Sequence, residues 1–376
     1  MGVNMEKILK IKEHFGEVET KKDYKGYSFT IVQALTIVIL GTICGLKNTK
    51  QIHQWAMNTR TKEFLLEHFQ IEEIPCYYWL LSMLKLIKPT SPNECFINWS
   101  QDMIVGDKKT MTVSFDGKTI RSTGKMDSYD KPLHIVSVHV ADLAITIGQK
   151  TIDEKSNEIP AMRELLKLLD IEGCMVVADA LNCQKETAEA VIKSGADYLL
   201  NVKDNHKELK ECISDYVSDD VLRDKMDNHT LIEKGRGRIE ERTAFITNDI
   251  NWLFGKDEWL NLASIGAINR RVTYKELTTD EWHYYITSRD LTAEELLHHS
   301  RLEWSVETMH WFLDVHFGED FCRIEDKDVQ QNLNMIRKIV LNTIKEYKAT
   351  ANSKRPLSNI MFDCLLDPNH ILKLLA

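Results

Sequence analysis

The 376-residue sequence predicts a mixed α/β sheet with helices on its faces, preceded by a helical domain and carrying a β-rich insertion. Three observations predict it. Up to about residue 98, apolar residues recur at spacings of three and four. From about residue 110, three β-rich runs are followed by helix, strand, helix and strand, the order of a sheet covered by helices. Between about residues 205 and 290 the texture turns β-rich and basic, before two long helices.

The helical domain, residues 1–98, contains TKEFLLEHF and YYWLLSMLKLI, both with helical apolar spacing. Its uncharged run from Tyr27 to Leu46 is long enough to cross a bilayer. Ser28, Thr30, Gln33, Thr36 and Thr42 interrupt that run and no partner span follows, so it reads as a buried core helix and no membrane partner is expected. Pro89 and Pro92, in KPTSPNE, punctuate the boundary.

The second domain reads as residues 106–350. MTVSFDG is a short β run ending in Asp-Gly, and LHIVSVHVAD and LAITIGQKTID are close enough to pair as antiparallel strands. NEIPAMRELLKLLD is a helix with Asn157 as a plausible N-cap. GCMVVADA is a buried strand, QKETAEAVIKSG an amphipathic helix ended by Gly195, and ADYLLNVK a further strand. HTLIEKGRGRIEERTAFITN, LASIGAINRRVTY and WHYYITSRD form the insertion, about residues 205–290; from Lys234 to Lys275 eight Lys or Arg stand against five Asp or Glu. TAEELLHHSRLEWSVETMHWFLDVHF and DVQQNLNMIRKIVLNTIKEY are helices, with Trp304, Trp311 and Phe312 expected in the core. Residues 351–376 read as a C-terminal tail.

A net charge of -9 argues against a protein that coats nucleic acid, but not against an enzyme that gathers its basic groups on one face. Eight cysteines without a C-x-x-C pair exclude a patterned disulfide framework or zinc knuckle and fit reduced thiols in the cytosol. No P-loop is present, and GRGR lacks the strand-to-helix setting of a nucleotide fingerprint. His310 and His316, six apart, do not share a helix face as paired metal ligands would.

Three acids stand where such an architecture would use them. Asp116 follows MTVSF, Asp179 follows CMVVA, and Glu307 lies on the late helix one turn beyond Trp304. Strand ends facing the crevice of an α/β sheet are where ligands bind. Hard divalent cations take a few carboxylates plus water and phosphate oxygens. Each acid also has an ordinary reading. Asp-Gly after a strand is turn chemistry, an acid after a buried strand is a cap, and a helical Glu is solvated surface. Spacing alone does not single out three among 57 acidic residues.

The segments FDGKTIRS, DEKSNEIP, VVADALNCQKE, GADYLLNVKDNH, KGRGRIEER and EWSVETMHWFLDVHFGEDFCRI, in that order, resemble the H-repeat-associated family of bacterial insertion-sequence transposases. The resemblance runs from about residue 20 to about residue 350. It implies an RNase H-like catalytic core with an Asp-Asp-Glu triad, and Asp116, Asp179 and Glu307 match those three positions. It further implies cutting and joining of DNA strands with Mg²⁺ or Mn²⁺ held by the three acids. The implied partner is double-stranded DNA, as terminal repeats and target, gripped by a homodimer. The implied location is the bacterial cytoplasm, at the nucleoid when DNA is bound.

Related cut-and-paste transposases place Tyr, Arg and a later Lys around the catalytic Glu. Ser300, Glu303 and Asp314 stand there in this chain, while Trp304 is retained. The basic residues that hold DNA are therefore sought elsewhere: Lys118, Arg121, Lys203, Arg236, Arg238 and Arg301, with Arg323 a further candidate. Ordinary surface charge is the competing reading for each. For the whole chain, the rival is a degenerate or domesticated transposase-derived protein that binds DNA without cutting it.

Overall fold

A computed structural model of the chain describes residues 13–16, 18–21, 29–123, 131–152, 158–235, 237–275 and 277–376. The helices bounded within the described residues before the sheet are α1 (Ile31–Ile43), α2 (Thr49–Ala56), α3 (Thr59–Phe69), α4 (Tyr77–Leu86) and α5 (Thr90–Gln101). Thr30 and Gln33 form a capping box that starts α1, and the Asn48 and Asn58 side chains cap α2 and α3. Every residue of α1 from Ala34 to Ile43 is buried, so the uncharged run is a core helix. Among the described residues no helix is long and apolar enough to cross a membrane.

The remaining elements are β1 (Thr112–Ile120), β2 (Leu133–Val140), β3 (Ile145–Ile152), α6 (Glu158–Leu166), β4 (Met175–Ala178), α7 (Lys185–Lys193), β5 (Asp197–Val202), α8 (Lys207–Ser218), α9 (Asp220–Arg223), β6 (Asp227–Gly235), β7 (Arg238–Thr247), β8 (Ser264–Tyr274), β9 (Leu277–Thr287), α10 (Ala293–Leu302), α11 (Ser305–Val315), α12 (Lys327–Thr350), α13 (Leu357–Leu366) and α14 (Asn369–Leu374). All nine strands belong to one sheet, in the order β3-β2-β1-β4-β5-β9-β8-β7-β6. An antiparallel β1–β2–β3 meander is extended by β4 and β5, parallel to β1. This is the RNase H-like arrangement. The expected insertion is an antiparallel extension of the same sheet, attached where β9 pairs with β5.

Side chains alternate across the strands, giving the sheet two faces. Val113, Phe115, Val136 and Val138 join the core formed with α6, α7 and α8 on the back. Met175, Val177, Leu199 and Tyr285 pack under α10 on the front. The helices α11 and α12 continue that front layer and share a core with α1 to α5 through Val306, Met309, Leu313 and Ile336. The helical domain thus buttresses the helix that carries Glu307.

Several details differ from the sequence reading. Asp116 and Gly117 lie inside β1, paired with Ser137 and Val136, and do not form a turn. The late helix is broken at Glu303–Trp304 into α10 and α11. Trp304 and Trp311 are 63% and 54% exposed, because α11 turns Val306, Met309 and Leu313 inward and leaves the opposite stripe to solvent. Residues 351–376 are no loose tail: Leu357, Ile360, Met361, Cys364 and Ile371 of α13 and α14 enter the helical core. The proposed cap Asn157 lies outside the described residues.

Candidate active site

The β1–β4 ladder pairs Ser114 with Val177. Two residues further along each chain stand Asp116, inside β1, and Asp179, just past the end of β4, so the two acids follow the ladder at equivalent positions. Asp116 shares its face with Thr112 and Ser114, and the Thr112 hydroxyl meets His299 Nδ1 of α10 at 2.8 Å, which fixes this as the front face. Asp179 follows β4, is exposed, and accepts hydrogen bonds from the Asn182 backbone N–H (3.2 Å) and Nδ2 (2.8 Å). It is the capping residue the sequence permitted, and it still sits at the front edge.

The residues after Asp116 are explained by what lies around β1. On the back of the strand, His134 Nε2 and Glu158 Oε1 form a buried pair at 2.7 Å, and His134 Nδ1 meets the Thr119 hydroxyl at 2.7 Å. A Cβ on Gly117 would come inside 3.0 Å of both Nε2 and Oε1. Glycine here provides clearance. Lys118, on the Asp116 face, turns into a pocket where it bonds to Asp314 and, at 3.0 Å, to the fully buried Glu319. Expected at a DNA phosphate, its ammonium is instead occupied by two carboxylates. Arg337 Nη1 (3.1 Å) and Asn334 Nδ2 (2.8 Å) complete the shell of Glu319.

Glu307 is in the first turn of α11, which packs on β1 and β2. Burial, and then the Asp116 charge, push its carboxyl above the ordinary range, with His310 opposing. Glu303, at the break before α11, feels more. Burial, Asp179, Glu307 and Asp116 together raise it to about 7 against the pull of Lys203. Asp179, Glu307 and Asp116 thus crowd Glu303 with negative charge at this edge of the sheet, a donor set that a divalent cation would relieve. Among the described residues, no three His, Cys, Asp or Glu groups are already close enough to enclose a metal ion. Mg²⁺ is held by one or two protein carboxylates plus water and phosphate oxygens, so a pair such as Asp116 and Asp179 suits it. Cys183, beside the Asp179 turn, is buried; burial and Asp179 push its thiol up to about 12, so it stays protonated.

Beyond Glu303 and Trp304, a groove of about 570 Å³ runs over the front of β5, β9, β8 and β7. Three guanidiniums converge there on the buried Glu240: Arg270, Arg242 at 2.6 Å and Arg238 at 3.4 Å. Arg301 Nη2 spans both oxygens of Glu233 at 2.8 and 2.9 Å. Lys203 lines the same groove, exposed. Of the basic candidates, Lys203, Arg238 and Arg301 thus gather on one surface. Arg121 is exposed in the short turn after β1, Arg323 is exposed before α12, and Arg236 lies outside the described residues. Arg242 and Arg270 were missed in sequence, although strict alternation along β7 and β8 places them beside Arg238.

Comparison with known proteins supplies the family. Residues 103–343 match the transposase DDE domain, and residues 12–100 match the domain described as DDE_Tnp_1-associated. The chain belongs to the DDE transposases. It is 31% identical to the H repeat-associated protein YhhI of Escherichia coli (strain K12) over 392 residues, covering 98% of each chain. It is 30% identical to YbfL of the same strain over 388 residues, again covering 98% of each. The shorter H repeat-associated YbfD is 32% identical over 250 residues, or 64% of this chain and 94% of that one. The solved piggyBac transposase synaptic complex with hairpin DNA superposes with a TM-score of 0.47 at 10% identity, covering 98% of this chain and 81% of that one. This transposase therefore belongs to the H repeat-associated group, DNA-cutting enzymes of insertion sequences.

Proposed function

We propose that this transposase cuts and joins DNA strands at the ends of its insertion sequence, with Asp116, Asp179 and Glu307 as a metal-binding triad. One observation carries the reading. The β1–β4 ladder runs toward Asp116 and Asp179, each two residues beyond its last pair, and the Asp116 charge acts on Glu307 of α11. Mg²⁺ or Mn²⁺ bound there would stabilise charge on the attacking and leaving oxygens of an in-line displacement. Water and then a freed 3′-hydroxyl are the successive nucleophiles, so cutting and joining are one chemistry and need no covalent protein intermediate.

The chain's own residues position the strand. Lys203, Arg238, Arg242, Arg270 and Arg301 offer phosphate contacts along the groove that opens beside Glu303. Glu240 and Glu233 hold the four guanidiniums in place, which lowers the entropy lost when a phosphate binds. Bringing two ends together calls for a homodimer on double-stranded terminal repeats and target DNA. Such work places the protein in the bacterial cytoplasm, at the nucleoid when DNA is bound.

The test is incubation of purified protein with DNA carrying the element's ends, in Mg²⁺ and in chelator. Nicking and strand joining confined to Mg²⁺ are expected. End binding with no nicking in either condition would make this a DNA-binding relative that no longer cuts.

A further inference from the structure

We infer that His310 is a positioning residue, whose ring orients Asp116 from the same helix that carries Glu307. It stands one turn beyond Glu307 on α11, and the two side chains share a helix flank. Its Nδ1 lies 3.3 Å from Asp116 Oδ2. The ring is only 12% exposed, and its Nε2 is buried with no hydrogen-bond partner among the described residues. Asp116 thus faces this imidazole at ion-pair distance, close enough for a small turn of either side chain to make a hydrogen bond. A histidine placed for packing alone would have been better served by an apolar side chain.

The surroundings of Asp116 leave this task to His310. Lys118, two residues on and on the same face, is engaged by Asp314 and Glu319. Ser137, opposite Asp116 across the β1–β2 ladder, accepts a hydrogen bond from Lys338 Nζ at 2.8 Å. A carboxylate that ligates a metal is steered by a donor on its outer oxygen, and removing such a donor costs about 10–100-fold in metal affinity. With Oδ2 facing His310, Oδ1 is left for a cation. Either the imidazolium or the neutral ring with its hydrogen on Nδ1 can donate, so the role does not depend on protonation. Because α11 carries both His310 and Glu307, seating the helix sets the direction of Asp116 and the placement of Glu307 together.

This rests on Asp116 being a metal ligand, and the experiment separates the two claims. Mn²⁺ binding to the full chain without DNA, followed by electron paramagnetic resonance of the free ion, is compared for wild type, His310→Ala, His310→Phe, His310→Asn and Asp116→Asn. The Ala and Phe variants lack the donor, one leaving space and one filling it. Both are expected to bind Mn²⁺ about tenfold more weakly or worse. The Asn side chain carries an N–H near the place of Nδ1 and is expected to recover most of the loss. Wild-type affinity in His310→Phe, or no recovery in His310→Asn, overturns the role of His310 while Asp116→Asn still abolishes binding. Undiminished binding in Asp116→Asn overturns the metal site, and the inference with it.

Discussion

Gly117→Ala is a substitution of one methyl group whose cost can be worked from the geometry. Its Cβ would enter the space of His134 Nε2 and Glu158 Oε1, inside 3.0 Å of each, where real Cβ atoms do not sit. Both side chains are buried, at 4% and 8% exposure, and bonded to each other at 2.7 Å, so neither moves freely. Accommodation requires pushing the pair apart or bending β1. Overpacking costs about 1–3 kcal/mol, and a strained charge-assisted bond adds about 1.5 kcal/mol. A destabilisation of about 2.5–4.5 kcal/mol follows, read as a shift in the urea midpoint at unchanged slope. Gly235→Ala is the control: among the described residues nothing lies within 4 Å of its Cβ, and a change within about 0.5 kcal/mol is expected. In a Glu158→Ala background one of the two clashes is gone, and Gly117→Ala should cost less. A Gly117→Ala protein as stable as wild type would refute the clearance argument.

Further outcomes follow from the charges. Burial alone would raise Glu319, but Arg337, Lys118 and Asn334 hold it down at about 2 from 4.5, which contributes about 3 kcal/mol above the ordinary carboxylate range. That contribution should be lost as pH falls from about 4.5 toward 2, and Glu319→Gln, which takes the carboxylate from Arg337 and leaves Lys118 with Asp314 alone, should flatten the acid limb of a stability–pH curve; an unchanged limb would contradict it. Glu303 is raised in the folded protein, so folding stability should decline as pH rises from about 4.5 to about 7. Without divalent ions Glu303→Gln should therefore be more stable than wild type near pH 8 and equal to it near pH 4, by thermal unfolding; equality near pH 8 would count against the repulsion. Arg242→Ala and Arg270→Ala should each lower the slope of log affinity for DNA against log salt by about one. Slopes equal to wild type would remove the groove from the DNA path.

The β-rich runs and their connecting helices were legible because each strand's pattern is local, and together they specify the β1–β5 part of the sheet. Asp116, Asp179 and Glu307 were legible only through the order of motifs around them, since each acid alone reads as a turn, a cap or solvated surface. What escaped depends on partners far away in the chain. Gly117 looks like a turn glycine until His134 and Glu158 arrive from β2 and α6. Lys118 looks like surface charge until Glu319 is buried beneath it. Trp304 and Trp311 were assigned to the core on hydrophobicity, yet the packed stripe of α11 is Val306, Met309 and Leu313. Residues 357–374 contain too few turns to announce a domain, and their role emerges only where Cys364 and Met361 meet α1 and its neighbours.

The central claim is that these three acids perform the cutting. Its most direct test is Mg²⁺-dependent cleavage of DNA bearing the element's ends by wild type, Asp116→Asn, Asp179→Asn and Glu307→Gln, with DNA binding measured in parallel. The account predicts cleavage by wild type, and binding without cleavage by all three variants. Cleavage at the wild-type rate by any one of them would contradict it.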